Sequence, residues 1–476
     1  MKILHISAEC YPMAKAGGLG DVVGALPKYQ QALDCESQVI VPMHRTAFLH
    51  SNEWDVVYKG KINWKGSLID FTVIKERFNV LGFELFCMDI NGLLDRTNIY
   101  GYNDDADRFL AFQIACLHWI SSLDSLPDVL HLHDHHTGLI PFMINYCFCF
   151  AALKNIKTLF TIHNAQYQGW MSSAYKQILP FFDDWKSGLL EWDDQINSLA
   201  CAVKCSDMIT TVSPNYKTEL LSGDHHLAVL FRQEKNKFIG ILNGIDYNIW
   251  SPESDPMIAF RYDENHVDSG KFFNKVKICS EFSLNAELPL IVFIGRLVQE
   301  KSADLLADAL LSAFEKYHHQ FCCIVLGNGE SHIEQELFSI QQTQLGYYHS
   351  SIEFNEQLSH QLYAGADFLL MPSRVEPCGL NQMYAMRYGT IPVVRSIGGL
   401  KDTVIDLNEH KGYGICFVHL SKENIVNAIG RAIDTYVNKK VVNEARKNMM
   451  RINNNWTKSA TEYIDIYAQL IQTHDQ

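Results

Sequence analysis

Short apolar runs of strand length, each followed by a turn and a segment of helical period, recur along most of the chain and restrict it to a mostly parallel α/β architecture. In the first half these runs are residues 3–8, 38–41, 83–88, 129–133, 158–162 and 208–212. The clearest helical segment between them is 104–123, where Phe109, Phe112, Leu117 and Ile120 recur near helical spacing. A second series follows at 290–294, 321–326, 368–371 and 391–394. Between the series, the prolines and polar residues of Trp250-Ser251-Pro252-Glu253-Ser254-Asp255-Pro256 predict a linker. A chain of 476 residues exceeds what one core usually supports. The expected domains are therefore 1–248 and 249–455, with a final helix over 456–476 in which Ala460, Tyr463, Ile464, Tyr467 and Leu470 share a face.

A net charge of −14 argues against a partner dominated by phosphate contacts, so neither nucleic acid nor an anionic membrane is expected. The 13 cysteines are odd in number and often sit in apolar runs such as Phe321-Cys322-Cys323-Ile324-Val325, the pattern of reduced core thiols. The opening Met1-Lys2-Ile3-Leu4-His5-Ile6-Ser7 is too short an apolar run for a signal peptide, and no stretch reaches the ~18 apolar residues of a membrane helix. A cytoplasmic protein is expected.

Three constellations carry chemistry. Lys15-Ala16-Gly17-Gly18-Leu19-Gly20-Asp21 follows the first strand, where backbone N–H groups and a helix N-terminus could cradle a phosphate. Arg296 and Lys301 flank the turn after the 290–294 run, at the strand end where open α/β sheets bind ligands. Glu376 lies in Pro372-Ser373-Arg374-Val375-Glu376-Pro377-Cys378-Gly379-Leu380, again just past an apolar run, and could accept hydrogen bonds from sugar hydroxyls. The cluster His131-Leu132-His133-Asp134-His135-His136 alternates so that His131, His133 and His135 fall on one strand face and Asp134 and His136 on the other, poor geometry for a metal. Asp105-Ala106-Asp107 looks like a metal-binding DxD element but sits where a helix start favours acids. No metal site is expected.

Taken together, Lys15 to Val22, His133-Asp134, Thr161-Ile162-His163-Asn164-Ala165-Gln166-Tyr167-Gln168-Gly169, Asn243-Gly244-Ile245-Asp246, Arg296 with Lys301, the 372–380 segment, Gly398-Gly399-Leu400 and Asp402-Thr403-Val404 resemble the bacterial glycogen synthase and plant starch synthase family, in order and over nearly the whole chain. The resemblance implies a GT-B-type α/β fold: two Rossmann-like domains facing across a cleft, with the C-terminal helix crossing back to the first. It implies a retaining transfer of glucose from ADP-glucose or UDP-glucose to the non-reducing 4-hydroxyl end of an α-1,4-glucan, with no metal or other cofactor. By that likeness Arg296 and Lys301 hold the diphosphate, while Lys15, Gly17, Gly18, Asp21 and Asn243 approach the donor from the first domain. Glu376 binds glucose hydroxyls beside Cys378, Gly379 and Leu380. Phe354 lies against the base, and Asp134, His163 and Asn164 are on the sugar or acceptor side. Two departures from the family pattern are Ser302, where glycine is common, and Val375, where phenylalanine is common. A related sucrose synthase-type transferase is disfavoured by the Lys-X-Gly-Gly-Leu element. A catalytically silent glucan-binding protein is disfavoured by the intact set Lys15, His163, Arg296, Lys301 and Glu376.

Overall fold

The computed structural model describes residues 1–472, which divide into two compact units, Met1–Gly244 with the C-terminal helix Trp456–Gln472, and Ile245–Asn455. In the first unit the main sheet contains β1 (Lys2–Ile6), β2 (Glu36–Pro42), β3 (Trp54–Trp64), β4 (Ser67–Glu76), β5 (Glu84–Asp89), β6 (Val129–His133) and β7 (Lys157–Ile162). A small separate sheet is formed by β8 (Trp170–Met171), β9 (Glu191–Trp192) and β10 (Gln195–Asn197), after which β11 (Met208–Thr211) and β12 (Phe238–Gly240) complete the main one. Its order is β12-β11-β7-β6-β1-β2-β5-β4-β3, parallel from β12 to β5. The hairpin β3–β4 adds an antiparallel edge that the sequence did not announce. It turns on Lys65 and Gly66, both at positive φ (50° and 83°), the geometry a tight two-residue hairpin requires.

The second unit holds β13 (Leu290–Ile294), β14 (Cys322–Leu326), β15 (Tyr348–Ser351), β16 (Phe368–Met371), β17 (Ile391–Arg395) and β18 (Ile415–Phe417), all parallel, in the order β15-β14-β13-β16-β17-β18. Both sheets step outward from their first strand in one direction and then reverse. This places a topological switch point between β1 and β6 in one unit and between β13 and β16 in the other. Ligands of such sheets bind at the strand C-termini beside the switch point.

The division falls between Gly244 and Ile245, a little before the expected boundary at 248/249. The anticipated linker 250–256 is instead packed inside the second unit. Trp250 stacks on His360 and Tyr384 with ring centroids 3.8 and 3.9 Å apart. Buried Asp255 accepts hydrogen bonds from His360 (2.7 Å) and the Tyr388 hydroxyl (2.5 Å). Behind them lies a buried ionic cluster. Asp367 accepts from Lys275 (2.7 Å), Arg446 (2.8 Å) and the Leu290 amide (2.9 Å), and Lys271 donates to the carbonyls of Tyr363, Ala364 and Tyr388 and to the Thr390 hydroxyl. The C-terminal helix closes the core of the first unit, where Trp456, Ala460, Tyr463 and Tyr467 are buried with Ile3, Val22 and Leu26.

Candidate active site

In the second unit the turns after β13 and β16 are tied into one structure. The Glu300 carbonyl accepts from the amides of Arg374 (2.8 Å) and Val375 (3.2 Å), and Arg374 forms a two-pronged ion pair with Asp304. Lys301 and Glu376 are thereby brought together, Nζ lying 2.7 and 2.6 Å from the two carboxylate oxygens, while Ser373 Oγ donates to Oε2 at 2.8 Å. Arg296 is held by Glu300 at 2.9 Å and remains half-exposed. Helix Gly398–Thr403 packs its start directly onto this loop. A Cβ at Gly398 (φ 46°) would overlap the Glu376 carbonyl and one at Gly399 the Cys378 carbonyl, so only glycine permits the approach. Gly379, at φ 73°, and Gln382, which donates to the Cys378 and Gly379 carbonyls, shape the turn next to buried Cys378, and Leu380 caps helix Asn381–Arg387. Phe354 stands apart on the loop after β15, 71% exposed and available for stacking.

Ser302, the residue after Lys301, starts helix Ala303–Lys316 in the left-handed region (φ 58°, ψ 30°) with its hydroxyl buried and without a hydrogen-bond partner. A side chain in that conformation costs ~1–2 kcal/mol and an orphaned buried hydroxyl a further ~1–3 kcal/mol. Against glycine's entropic cost of ~0.5–1 kcal/mol, Ser302→Gly is expected to stabilise the protein by about 1 kcal/mol or more. Chemical denaturation checks this through an upward shift in midpoint at unchanged slope.

In the first unit the glycine loop differs from its expected form. The amides of Ala16 and Gly17 donate to Glu9 Oε2 at 2.6 and 3.0 Å, so these N–H groups serve a buried carboxylate rather than an open anion cradle. Tyr100 donates to the other Glu9 oxygen at 2.7 Å and stacks on His136, tying the loop to the turn after β6. Burial raises the Glu9 carboxyl, held back by the Ala16, Tyr100 and Gly17 donors. Lys15 is partly exposed and pairs with Asp21 at 2.7 Å, and Gly18 opens helix Gly18–Gln31 with Gly17 before it. Neither Glu9 nor Tyr100 was singled out from sequence. The only local signal was an acid placed between a strand and a glycine loop.

β6 ends at His133, and Asp134 (φ 56°) turns the chain into a short 3-10 segment, so His135 leaves the face that it would share in an extended strand. Asp134 accepts from the amides of His163 (2.7 Å) and Asn164 (3.4 Å), which binds the end of β6 to the end of β7. Burial pushes its carboxyl up to about 7, against the pull of those two amides. His163 is 8% exposed, just past the end of β7, one strand over from the switch point. Asn243, beyond β12, is nearly buried with Oδ1 lacking a hydrogen-bond partner.

Among the described residues, one group of side chains lies close enough to share a metal, and it includes a member that sequence did not suggest: His5, His131 and His133. Their ring nitrogens are engaged. His131 Nδ1 and Nε2 meet the Tyr467 and Thr161 hydroxyls (2.7 and 2.6 Å), His5 meets Gln30 and His133 (2.8 and 3.1 Å), and His133 Nδ1 meets His163 (3.0 Å). The donor set thus fits a hydrogen-bonded network better than a metal. The DxD acids are likewise occupied, Asp105 by Arg108 and two amides, and Asp107 by Lys65.

Residues 2–233 match the starch synthase catalytic domain family and residues 277–453 the glycosyl transferases group 1 family. Glycogen synthase of Flavobacterium johnsoniae is 47% identical over 472 residues, covering 99% of this chain and 100% of that protein. Glycogen synthase of Clostridioides difficile is 36% identical, with 99% and 100% covered. Among solved structures, the catalytic domain of starch synthase IV from Arabidopsis thaliana bound to ADP and acarbose superposes with a TM-score of 0.91 at 28% identity, covering 99% of each chain. Sucrose-phosphate synthase from Thermosynechococcus elongatus, at 15% identity and a TM-score of 0.64, shares the fold. With GT-B topology in both sheets and matches running end to end, the chain belongs to the glycogen synthase and starch synthase family of glycosyltransferases.

Proposed function

We propose that this enzyme elongates an α-1,4-glucan by moving glucose from ADP-glucose to the non-reducing 4-hydroxyl with retention of anomeric configuration. The observation that carries this reading is the joined pair of turns at the β13/β16 switch point, which sets Lys301 against Glu376 with Arg296 alongside. Breaking a sugar–diphosphate bond builds negative charge on the leaving oxygen and positive charge at the anomeric carbon. Preorganised cations near the phosphate are the largest foreseeable aid. ADP in the Arabidopsis relative supports an adenine donor, and acarbose there supports a glucan acceptor. Here Arg296 and Lys301 hold the diphosphate, Phe354 stacks on the base, and Glu376 binds glucose hydroxyls next to Cys378, Gly379 and Leu380. Lys15, with Gly18, Asp21 and Asn243, serves the donor, Gly17 supports that loop through its amide hydrogen bond to Glu9, and Asp134, His163 and Asn164 serve the sugar. Same-face attack, with the departing phosphate taking the acceptor proton, needs no nucleophile and acid pair of the glycosidase kind. The 13 cysteines are all free, and no helix among the described residues is long and apolar enough to cross a membrane; the reducing cytoplasm suits such a protein.

The test offers ADP-glucose and UDP-glucose side by side, with and without a short maltooligosaccharide. Glucan-dependent release of ADP, with an α-linkage in the product by NMR, is expected; release without glucan, or a β-linkage, overturns the reading. Full activity in excess EDTA is also expected, because cationic side chains neutralise the leaving group; loss restored by Mg²⁺ or Mn²⁺ contradicts it. Glu376→Gln, which keeps an acceptor oxygen, should retain measurable turnover, whereas Glu376→Ala should lose about tenfold more, the worth of one or two hydrogen bonds. Equal loss in both variants, with a trapped glucosyl adduct on the native residue, makes Glu376 a nucleophile instead.

A further inference from the structure

The polar row on one face of the first sheet is unusual for parallel strands, which are normally apolar on both faces. Register aligns His5 of β1 with His131 of β6, and His133 of β6 with Thr161 of β7, which in turn aligns with Thr210 of β11. All are fully buried, under Gln30 of the first helix and Tyr467 of the C-terminal helix. A buried row of this kind persists only if every donor meets an acceptor, so its bonds have a direction.

That direction can be followed atom by atom. Gln30 Oε1 accepts from Ser37 Oγ (2.7 Å) and faces His5 Nε2 (2.8 Å), while its Nε2 donates to the Tyr467 hydroxyl (2.9 Å). A carboxamide oxygen only accepts, so His5 carries its proton on Nε2. A neutral imidazole has a single N–H, which leaves His5 Nδ1 to accept from His133 Nε2 (3.1 Å). His133 Nδ1 must then accept from His163 Nε2 (3.0 Å). Burial keeps the rings neutral, lowering His5 to about 4, His163 to about 3 and His133 well below its ordinary value. On the side branch, Tyr467 donates to His131 Nδ1 and His131 Nε2 to Thr161, which continues to Thr210 at 2.6 Å.

We propose that Gln30, His5 and His133 are positioning residues: their chain of hydrogen bonds holds His163 as the Nε2–H tautomer and presents its Nδ1 to the sugar as an acceptor. This rests on the sugar-side placement of His163 given above. The chain sets the role in which a sugar hydroxyl is held there, as a donor to Nδ1, since the other tautomer would offer a donor at the same point and make the hydroxyl accept. Reversing the Gln30 carboxamide would reverse every bond down to His163, so an amide buried behind the sheet decides the chemistry displayed at its edge.

The experiment is ¹⁵N–¹H correlation NMR of uniformly ¹⁵N-histidine-labelled full-length protein, with the His163 signal assigned by His163→Gln, alongside kinetics of two His133 variants. In the native protein His163 is expected to show the Nε2–H pattern. His133→Phe removes the acceptor and should mix the tautomers and lower kcat about tenfold, one hydrogen bond's worth, at little change in the KM for donor. His133→Asn, whose Oδ1 can stand where Nδ1 stood, should restore the Nε2–H signal and most of the turnover. A native Nδ1–H pattern, or equal loss in His133→Phe and His133→Asn, overturns the proposal. An Nε2–H pattern accompanied by normal kinetics in both His133→Phe and His163→Ala would instead remove His163 from the sugar site, ending the positioning role while leaving the chain itself intact.

Discussion

Lys301→Ala is expected to lower turnover by about 10²-fold or more, because the phosphate charge that develops in the transition state loses a preorganised partner. Arg296→Ala should act in the same direction. The loss at Lys301 should be larger, since its ammonium is bound by both oxygens of Glu376 and is the better fixed of the two, whereas Arg296 is half-exposed beside Glu300. In the structure each of the three cations assigned to the donor is already matched by a carboxylate: Lys15 by Asp21, Arg296 by Glu300 and Lys301 by Glu376. Donor phosphate must therefore compete with internal acids, and the variants should weaken ADP binding as well as slow chemistry. Steady-state kinetics on protein shown to be folded, with ADP binding by calorimetry, tests this. Near-normal turnover in both variants would end the diphosphate assignment.

The largest effect on stability is expected at Asp367. Its buried carboxylate is shared by Lys275 and Arg446, so Asp367→Ala leaves Lys275 with the Tyr436 hydroxyl and Arg446 with half-exposed Asp268 at 3.6 Å, and should cost about 3–5 kcal/mol. Desolvation raises the Asp367 carboxyl, but Lys275 and Arg446 outweigh it and hold the group below the ordinary Asp range. A depressed value in the folded state means that this stabilisation is complete above the unfolded pKa of ~3.9 and is lost as the pH falls through the folded value. Urea unfolding from pH 7 to pH 3 should show a native stability that declines at the acid end, with the component from this residue missing in Asp367→Asn. A loss under 1 kcal/mol in Asp367→Ala would mean that the cluster relaxes around water.

The placement of Lys15, Arg296, Lys301 and Glu376 past strand ends was legible in the sequence because each follows an apolar run, and a run of that kind ends where parallel sheets present ligands. The strands that escaped notice lie at or near sheet edges or in the small separate sheet: β12 and β18 are only three residues long, β15 is mostly polar, β8 to β10 are two or three residues each, and the β3–β4 hairpin mixes charged and apolar residues, so none has the long apolar run of a central strand. The stretch 250–256 looked like a linker because proline and polar residues mark exposed chain, yet Trp250 and Asp255 find partners at His360 and Tyr388, more than a hundred residues later. Separation also hid Glu9 with Tyr100, 91 residues apart, and His5 with His133, 128 apart. Gln30 meets Tyr467 across 437 residues of sequence, a pairing that no local pattern encodes.

The inclusion of Trp456–Gln472 in the first unit makes the second unit an insertion within it. During synthesis at ~5–20 residues per second, some 200 residues separate the emergence of Gly244 from that of Trp456, so the first unit waits about 10–40 seconds for the helix that completes its core. Ile3, Val22 and Leu26, which Trp456, Tyr463 and Tyr467 later cover, stay uncovered in the meantime. The second unit, contiguous in the chain, has all of its strands in hand first. The order of maturation is therefore inverted relative to the order of translation, and the nascent chain offers chaperones a long window on the face that the last helix seals.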